Sequence, residues 1–293
     1  MSKKVIQKIV VEKDKVDVRL DLFVAEKLSL TRSQSQKMIR EGLVLVNSEA
    51  KSSKYTLKTG DEICFVEGEK SISPDIKIIF EDKNILVVDK PAGITVHPAP
   101  GEKGETLSEI FASEYSDSLE TNRDMIVHRL DKGTSGVMVL AKNRDARDFL
   151  AKQFAARKVN KTYLALVKGK LQPSEGVIDM PLSRDLISRN KIAPADEGKD
   201  AKTLYKVEKY FQGYTLVSAN PKTGRTHQIR VHFAAIGHPL CGDERYGVKS
   251  NFPRMFLHAR KLSFISPTDQ KRVAFESELP KELNNILNSL TIE

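Results

Sequence analysis

Apolar residues at Leu20, Phe23, Val24 and Leu28 recur at the spacing of one helical face, which predicts a helix over RLDLFVAEKL. A second helix follows in TRSQSQKMIREG. Thr31 and Gln34 stand at capping-box spacing at its start, and Gly42 stands where a left-handed residue would end it. The strands LVLVN and EICFV come next, the second introduced by the turn TGD, and the pattern closes a compact unit at about Val66. EGEKSISPDIK is polar, carries one proline and has no period, which predicts a linker between a domain over 16–72 and another over 78–293.

From Ile78 the pattern changes. Strand signals recur as IIFED, NILVVDKP, VMVLAK, TYLALVKG, TLYKVEKYF, YTLVSANP and FLHARKLSF, punctuated by Gly, Pro, Asn and Asp. Helical spacing is confined to TLSEIFASEY, RDARDFLAKQFAAR and THQIRVHFAAIG. So many strands without regular βαβ alternation predict an α+β fold with a mixed, largely antiparallel sheet. Within TYLALV, period two places Tyr163, Ala165 and Val167 on one face and Leu164 and Leu166 on the other. In the last helix, Ile229, His232, Phe233 and Ile236 share a stripe, Thr226 is the expected N-cap and Gly237 the breaker. Arg225 then precedes a helix N-terminus, where unpaired amides favour a negative group.

Composition narrows the chemistry. The 293 residues are 40% hydrophobic, and no run approaches the ~20 apolar residues a membrane span needs, so no membrane partner is expected. The N-terminus has no apolar core of a signal peptide, and Cys64 and Cys241 are too far apart to suggest a disulfide framework, which points to the cytoplasm. The net charge of +9 favours a polyanionic partner. Between Ala219 and Lys261 eight Lys and Arg face two acids, interleaved with Gly, His and aromatic residues, so most of that excess lies in one segment.

All six histidines fall in the second domain, yet none has metal-ligand spacing: His227 and His232 lie about 140° apart around a helix, and no H-E-x-x-H occurs. No metal and no cofactor are expected. Phosphate-loop, dinucleotide and nucleophile-elbow motifs are also absent. The segment HRLDKGTSG, residues 128–136, sets an imidazole, a guanidinium, a carboxylate and two glycines directly before a strand that reads as buried. Alone it supports two interpretations, a tight turn built on Asp131 and Gly133 or a reactive carboxylate.

HRLDKGTSG with VMVLAKN, then KTYLALVKG, TGRTHQIRVHFAAIGHPLCGDERYG and FLHARKLSF, with DKPAGITVHP upstream, resembles the RluA-type family of RNA pseudouridine synthases. The first domain, with RLDLFVAEKL, TRSQSQKMIREGLVLVN and KTGDEI in order, resembles an S4 RNA-binding domain. The resemblance implies a cofactor-free, monomeric isomerase of RNA, with ribosomal RNA preferred over transfer RNA as the partner. It further implies that Asp131 is the catalytic carboxylate, that Tyr163 packs on the target uracil, that Arg225 pairs with Asp131, and that Arg129 fills the stack left by a flipped uridine. Arg32, Lys37 and Arg40 would meet phosphate. Relatives often carry an acidic residue where this chain has Gly133. The alternatives are an RNA-binding or ribosome-assembly factor that keeps the fold without catalysis, and a metal-dependent hydrolase using the histidines.

Overall fold

The computed structural model describes residues 5–12, 16–28, 30–40, 42–66, 76–98, 105–115, 125–185, 188, 191–247 and 251–293. The chain forms two compact units, Met1–Ser73 and Pro74–Glu293. Most of the expected linker, 67–75, lies outside the described residues.

In the first unit, α1 (Leu20–Lys27) and α2 (Arg32–Arg40) accompany a three-stranded antiparallel sheet of β1 (Val5–Val10), β3 (Glu62–Val66) and β2 (Val44–Val46), in the order β1-β3-β2. The sequence suggested only the last two strands. β1 has too little alternation to stand out, and its pairing with β3 supplies what its pattern lacks. Leu20, Phe23 and Val24 of α1 are buried against Ile39, Val44 and Ile63, as the helical stripe requires. Gly42 has φ 68°, the left-handed residue expected after α2.

The two helices are joined through a buried carboxylate. Asp21 accepts a bidentate pair from Arg19, at 2.9 and 2.8 Å, and single bonds from Gln36 Nε2 at 2.6 Å and Arg32 Nε at 3.2 Å. The Arg19 fork holds Asp21 far below the ordinary carboxylate range despite its burial. Arg32 therefore has a structural partner while its side chain stays 55% exposed. The side chains of Lys37 and Gln34 lie outside the described residues.

The second unit is built on a nine-stranded sheet. Its strands are β4 (Lys77–Glu81), β5 (Ile85–Lys90), β6 (Ser135–Ala141), β7 (Asn160–Lys168), β8 (Glu175–Asp179), β11 (Lys202–Phe211), β12 (Tyr214–Pro221), β13 (Leu257–Ile265) and β14 (Arg272–Glu276). They run in the order β4-β5-β6-β13-β7-β12-β11-β8, with β14 also on β13. Only β6 and β13 are parallel, so the α+β, largely antiparallel expectation holds. A separate pair joins β9 (Leu182–Arg184) to β10 (Ile192–Pro194).

Four helices cover the sheet: α3 (Leu107–Tyr115), α4 (Arg144–Ala155), α5 (Gln228–Ala235) and α6 (Lys281–Ser289). Strand alternation decides which face each helix covers. Val87, Val137 and Val139 pack with Ala146 and Leu150 of α4, whereas their neighbours Leu86, Met138 and Leu140 pack with Leu107 and Phe111 of α3. At the other half, Ala165, Val167 and Val217 meet Ile229 and Phe233 of α5, while Leu166 and Phe256 meet Leu283 and Ile286 of α6. That division is why β6 is buried along its whole length.

Candidate active site

The segment His128–Gly136 enters β6 through a loop whose carbonyls are tied one after another. Asp131 O accepts from Thr134 N at 3.0 Å and Lys132 O from Gly93 N at 2.7 Å. Gly133 O accepts from Arg254 Nη1 at 3.3 Å. Behind the loop lies Lys90, fully buried, whose Nζ donates to Pro91 O and Ile94 O at 2.8 Å each and reaches Lys132 O at 3.4 Å. Burial pushes Lys90 down to about 7, and the charge of Asp131 partly offsets this. Arg254 also donates through Nη2 to Ser135 Oγ at 2.9 Å and to Glu282 Oε1 of α6 at 3.0 Å. Gly136 has φ 121°, and a Cβ there would lie 2.3 Å from Ala259 O, so no other residue fits where β6 meets β13. At Gly133 a Cβ would make ordinary contact with Met255 Cε at 3.6 Å.

The loop opens onto a cavity of about 420 Å³, lined by Arg129 and Asp131 from the loop, Lys161 and Tyr163 from β7, and residues 221–230 around the start of α5. The Asp131 carboxylate is 18% exposed. Its Oδ2 accepts from Arg230 Nη1 at 3.0 Å, and its Oδ1 accepts from no side chain among the described residues. Arg230 is shared: its Nε and Nη2 form a bidentate pair with Asp243 at 2.7 and 2.9 Å. Burial pushes Asp243 up, but the Arg230 bonds and the Tyr246 and Arg245 amides outweigh it, leaving the carboxyl below its ordinary range. One guanidinium thus serves two carboxylates.

Arg225 does not take the place expected of it. It lines the cavity, but its Nε donates to Asp200 O at 3.0 Å, and Arg230 is the base on Asp131. Arg225 lies before α5, in the turn ahead of the helix, with its guanidinium on Asp200 O, whereas Arg230 lies on the helix and reaches Asp131. The helix also begins later than expected, at Gln228. His227 adopts a left-handed φ of 55° as its N-cap, and Thr226 makes no cap. Gln228, buried, accepts from Arg225 N at 3.1 Å and Thr223 Oγ1 at 2.6 Å and so ties down the turn before the helix.

Tyr163 lies in the cavity wall, half-buried, beside Ala165 and Val167 as alternation requires. Burial and the charge of Asp131 push its hydroxyl up, so it remains protonated at neutral pH. Two positions along the same strand face, Lys161 donates to Thr223 O at 3.3 Å, and burial pushes it down to about 8. His128, stacked on Phe154 at 4.6 Å, accepts Val139 N on Nε2 at 3.2 Å, and burial pushes it down to about 3. It is a neutral structural residue. Among the described residues no group of His, Cys, Asp and Glu could hold a metal ion, and no helix is long and apolar enough to cross a membrane.

A model of the RNA pseudouridylate synthase family matches residues 84–235, and an S4 domain model matches residues 18–63. The chain belongs to the RNA pseudouridine synthases. This pseudouridine synthase is 40% identical to an uncharacterised RNA pseudouridine synthase of Aquifex aeolicus over 93% of each chain. It is 38% identical to ribosomal large subunit pseudouridine synthase D of Nitrosomonas europaea, covering 93% of this chain and 84% of that one. Among solved structures, human RNA pseudouridylate synthase domain containing 1 is similar with a TM-score of 0.61 and 28% identity, covering 75% of this chain and 89% of that one. The enzyme isomerises uridine to pseudouridine in RNA.

Proposed function

We propose that Asp131 is the catalytic carboxylate of this isomerase and that its substrate is large-subunit ribosomal RNA. The observation that carries the first statement is the asymmetry of Asp131: one oxygen is held by Arg230 while the other opens into the cavity beside Tyr163. The reaction breaks the N1–C1′ bond, turns the uracil in place, joins C5 to C1′ and releases the C5 proton. Bond cleavage develops positive character at the sugar, and an ionised carboxylate stabilises or attacks that centre. Arg230 aims Asp131 through one N–H while its fork on Asp243 fixes the guanidinium, an arrangement that an ammonium could not supply. A uridine inside stacked RNA must be extruded to reach the cavity. Tyr163 then offers an aromatic face to the uracil, and Arg129 reaches from the loop to fill the vacated stack.

Ribosomal RNA is favoured because several relatives at 34–38% identity bear the name ribosomal large subunit pseudouridine synthase, and because an S4 domain precedes the catalytic unit. Asp131→Asn preserves the side chain's size and removes its charge. RNA labelled with tritium at uridine C5 should lose label to water with the wild type and retain it with the variant, while RNA affinity persists. Release at the wild-type rate by Asp131→Asn would remove Asp131 from the chemistry. Comparing pseudouridines in ribosomal and transfer RNA from cells with and without the enzyme tests the substrate. A change confined to transfer RNA would overturn that half of the proposal.

A further inference from the structure

Next to Arg230, a second group faces the same carboxylate oxygen. His227 Nε2 lies 3.9 Å from Asp131 Oδ2. Its other nitrogen, Nδ1, lies 2.8 Å from Tyr246 Oη. Tyr246 Oη in turn accepts from Ile192 N, at the start of β10, at 2.9 Å. Tyr246 is itself anchored: its amide donates to Asp243 Oδ1 at 3.2 Å, and its ring carries the Arg230 guanidinium 5.0 Å from the ring centroid.

The hydrogen-bond inventory fixes where the protons go. A backbone N–H can only donate, so the Ile192 amide makes Tyr246 Oη an acceptor on one side. The phenol proton then needs an acceptor of its own. His227 Nδ1 is the group within reach, and a nitrogen that accepts carries no proton. In the neutral imidazole the single proton must therefore reside on Nε2, the nitrogen facing Asp131. Were Tyr246 to release that constraint, the ring could take the other tautomer and turn a lone pair towards a carboxylate.

We propose that Tyr246 is a positioning residue for isomerisation: its hydroxyl locks His227 in the Nε2–H tautomer, so that an N–H dipole and the Arg230 guanidinium both face Asp131 Oδ2 and leave Oδ1 as the oxygen that meets the sugar. This rests on the assignment of Asp131 as the catalytic carboxylate. The first residue of β10 is thereby connected to the reacting carboxylate by a chain of three hydrogen-bonding groups, the Ile192 amide, the Tyr246 hydroxyl and the His227 ring. The left-handed backbone of His227 is consistent with the ring having been turned to serve this role, since a non-glycine residue adopts that conformation only where its surroundings demand it.

Nitrogen-15 NMR of histidine-labelled full-length enzyme reads the tautomer directly, without substrate. Wild-type His227 should be in the Nε2–H form, and Tyr246→Phe, which keeps the ring under Arg230 and deletes only the hydroxyl, should shift it towards the Nδ1–H form. In turnover, Tyr246→Phe should lower kcat about tenfold with KM for RNA little changed, since the loss falls on the charge-developing step. His227→Gln supplies an amide N–H near the Nε2 position and has no tautomer to lock. In that background the further change Tyr246→Phe should cost less than about twofold. An Nδ1–H signal in the wild type would overturn the proposal, as would an equal loss from Tyr246→Phe in both backgrounds. If Asp131→Asn kept full activity, the assignment of Asp131 would fail by itself, and the nitrogen spectra would still decide the tautomer.

Discussion

Arg230 holds two carboxylates, and removing it would strand both. Arg230→Met should destabilise the fold by about 3 to 5 kcal/mol, because Asp243 would be left charged and almost wholly buried, and turnover should vanish with it. Arg230→Lys is the more informative change. An ammonium cannot form the Asp243 fork and still reach Asp131, so kcat should fall at least a hundredfold with a smaller loss of stability, checked by urea unfolding beside tritium release. Arg225→Ala should instead raise KM more than it lowers kcat, since Arg225 lines the cavity without touching Asp131. At Tyr163, Phe keeps the aromatic face, worth about 1 to 3 kcal/mol per stacked base, and Leu discards it. RNA affinity should therefore survive Tyr163→Phe and fall in Tyr163→Leu. Asp131 and Tyr163 were singled out by the resemblance, since their local patterns alone also fit a tight turn and a packed strand, and both line the cavity. The partner of Asp131 was not legible in the sequence, because choosing between Arg225 and Arg230 depends on where α5 starts. That start was decided by the Gln228 side chain and the left-handed His227, neither of which leaves a mark in hydrophobic periodicity.

The ends of β5 and β6 meet behind the reactive loop, and Lys90 carries that junction. Burial lowers its folded pKa to about 7 from the ordinary 10.5 of a lysine. Between those pH values the unfolded chain binds a proton that the folded chain does not, so stability rises with pH across the window; below about 7 both states are charged and the cost of burial is felt in full. Against Lys90→Met, the wild type should gain relative stability between pH 7 and pH 10, by at most about 4 kcal/mol, when both are unfolded in urea. No gain would mean that the three carbonyls around Nζ hold it charged. The main strands and α3 to α5 followed the expected spacing closely. What the pattern missed were β8, β9, β10, β14 and α6. These are short or half-exposed elements whose apolar residues find partners far away in the chain, as Leu283 and Ile286 of α6 do on Leu166 and Phe256.

Across the whole molecule, basic side chains of the S4 unit and of the catalytic unit are the groups expected to meet RNA. Arg32→Ala, Lys37→Ala and Arg40→Ala together should weaken RNA binding and shrink the salt slope of binding by roughly two units, with turnover on saturating RNA nearly unchanged. Part of the lost affinity would trace to α1 and α2 loosening, because Arg32 also bonds the buried Asp21; Arg40→Ala alone separates the two effects. The bridge from Glu282 through Arg254 to Gly133 and Ser135 has a consequence in time. Ribosomes make a chain from its N-terminal side, so the S4 unit, the reactive loop and β6 all emerge well before the residue that braces Arg254. Until α6 has been made, Arg254 lacks its carboxylate and the carbonyl of Gly133 has an unanchored donor. A nascent chain halted before Lys281 could therefore grip RNA through its S4 unit before its isomerising loop is set, and competence for chemistry would come with the first turn of α6.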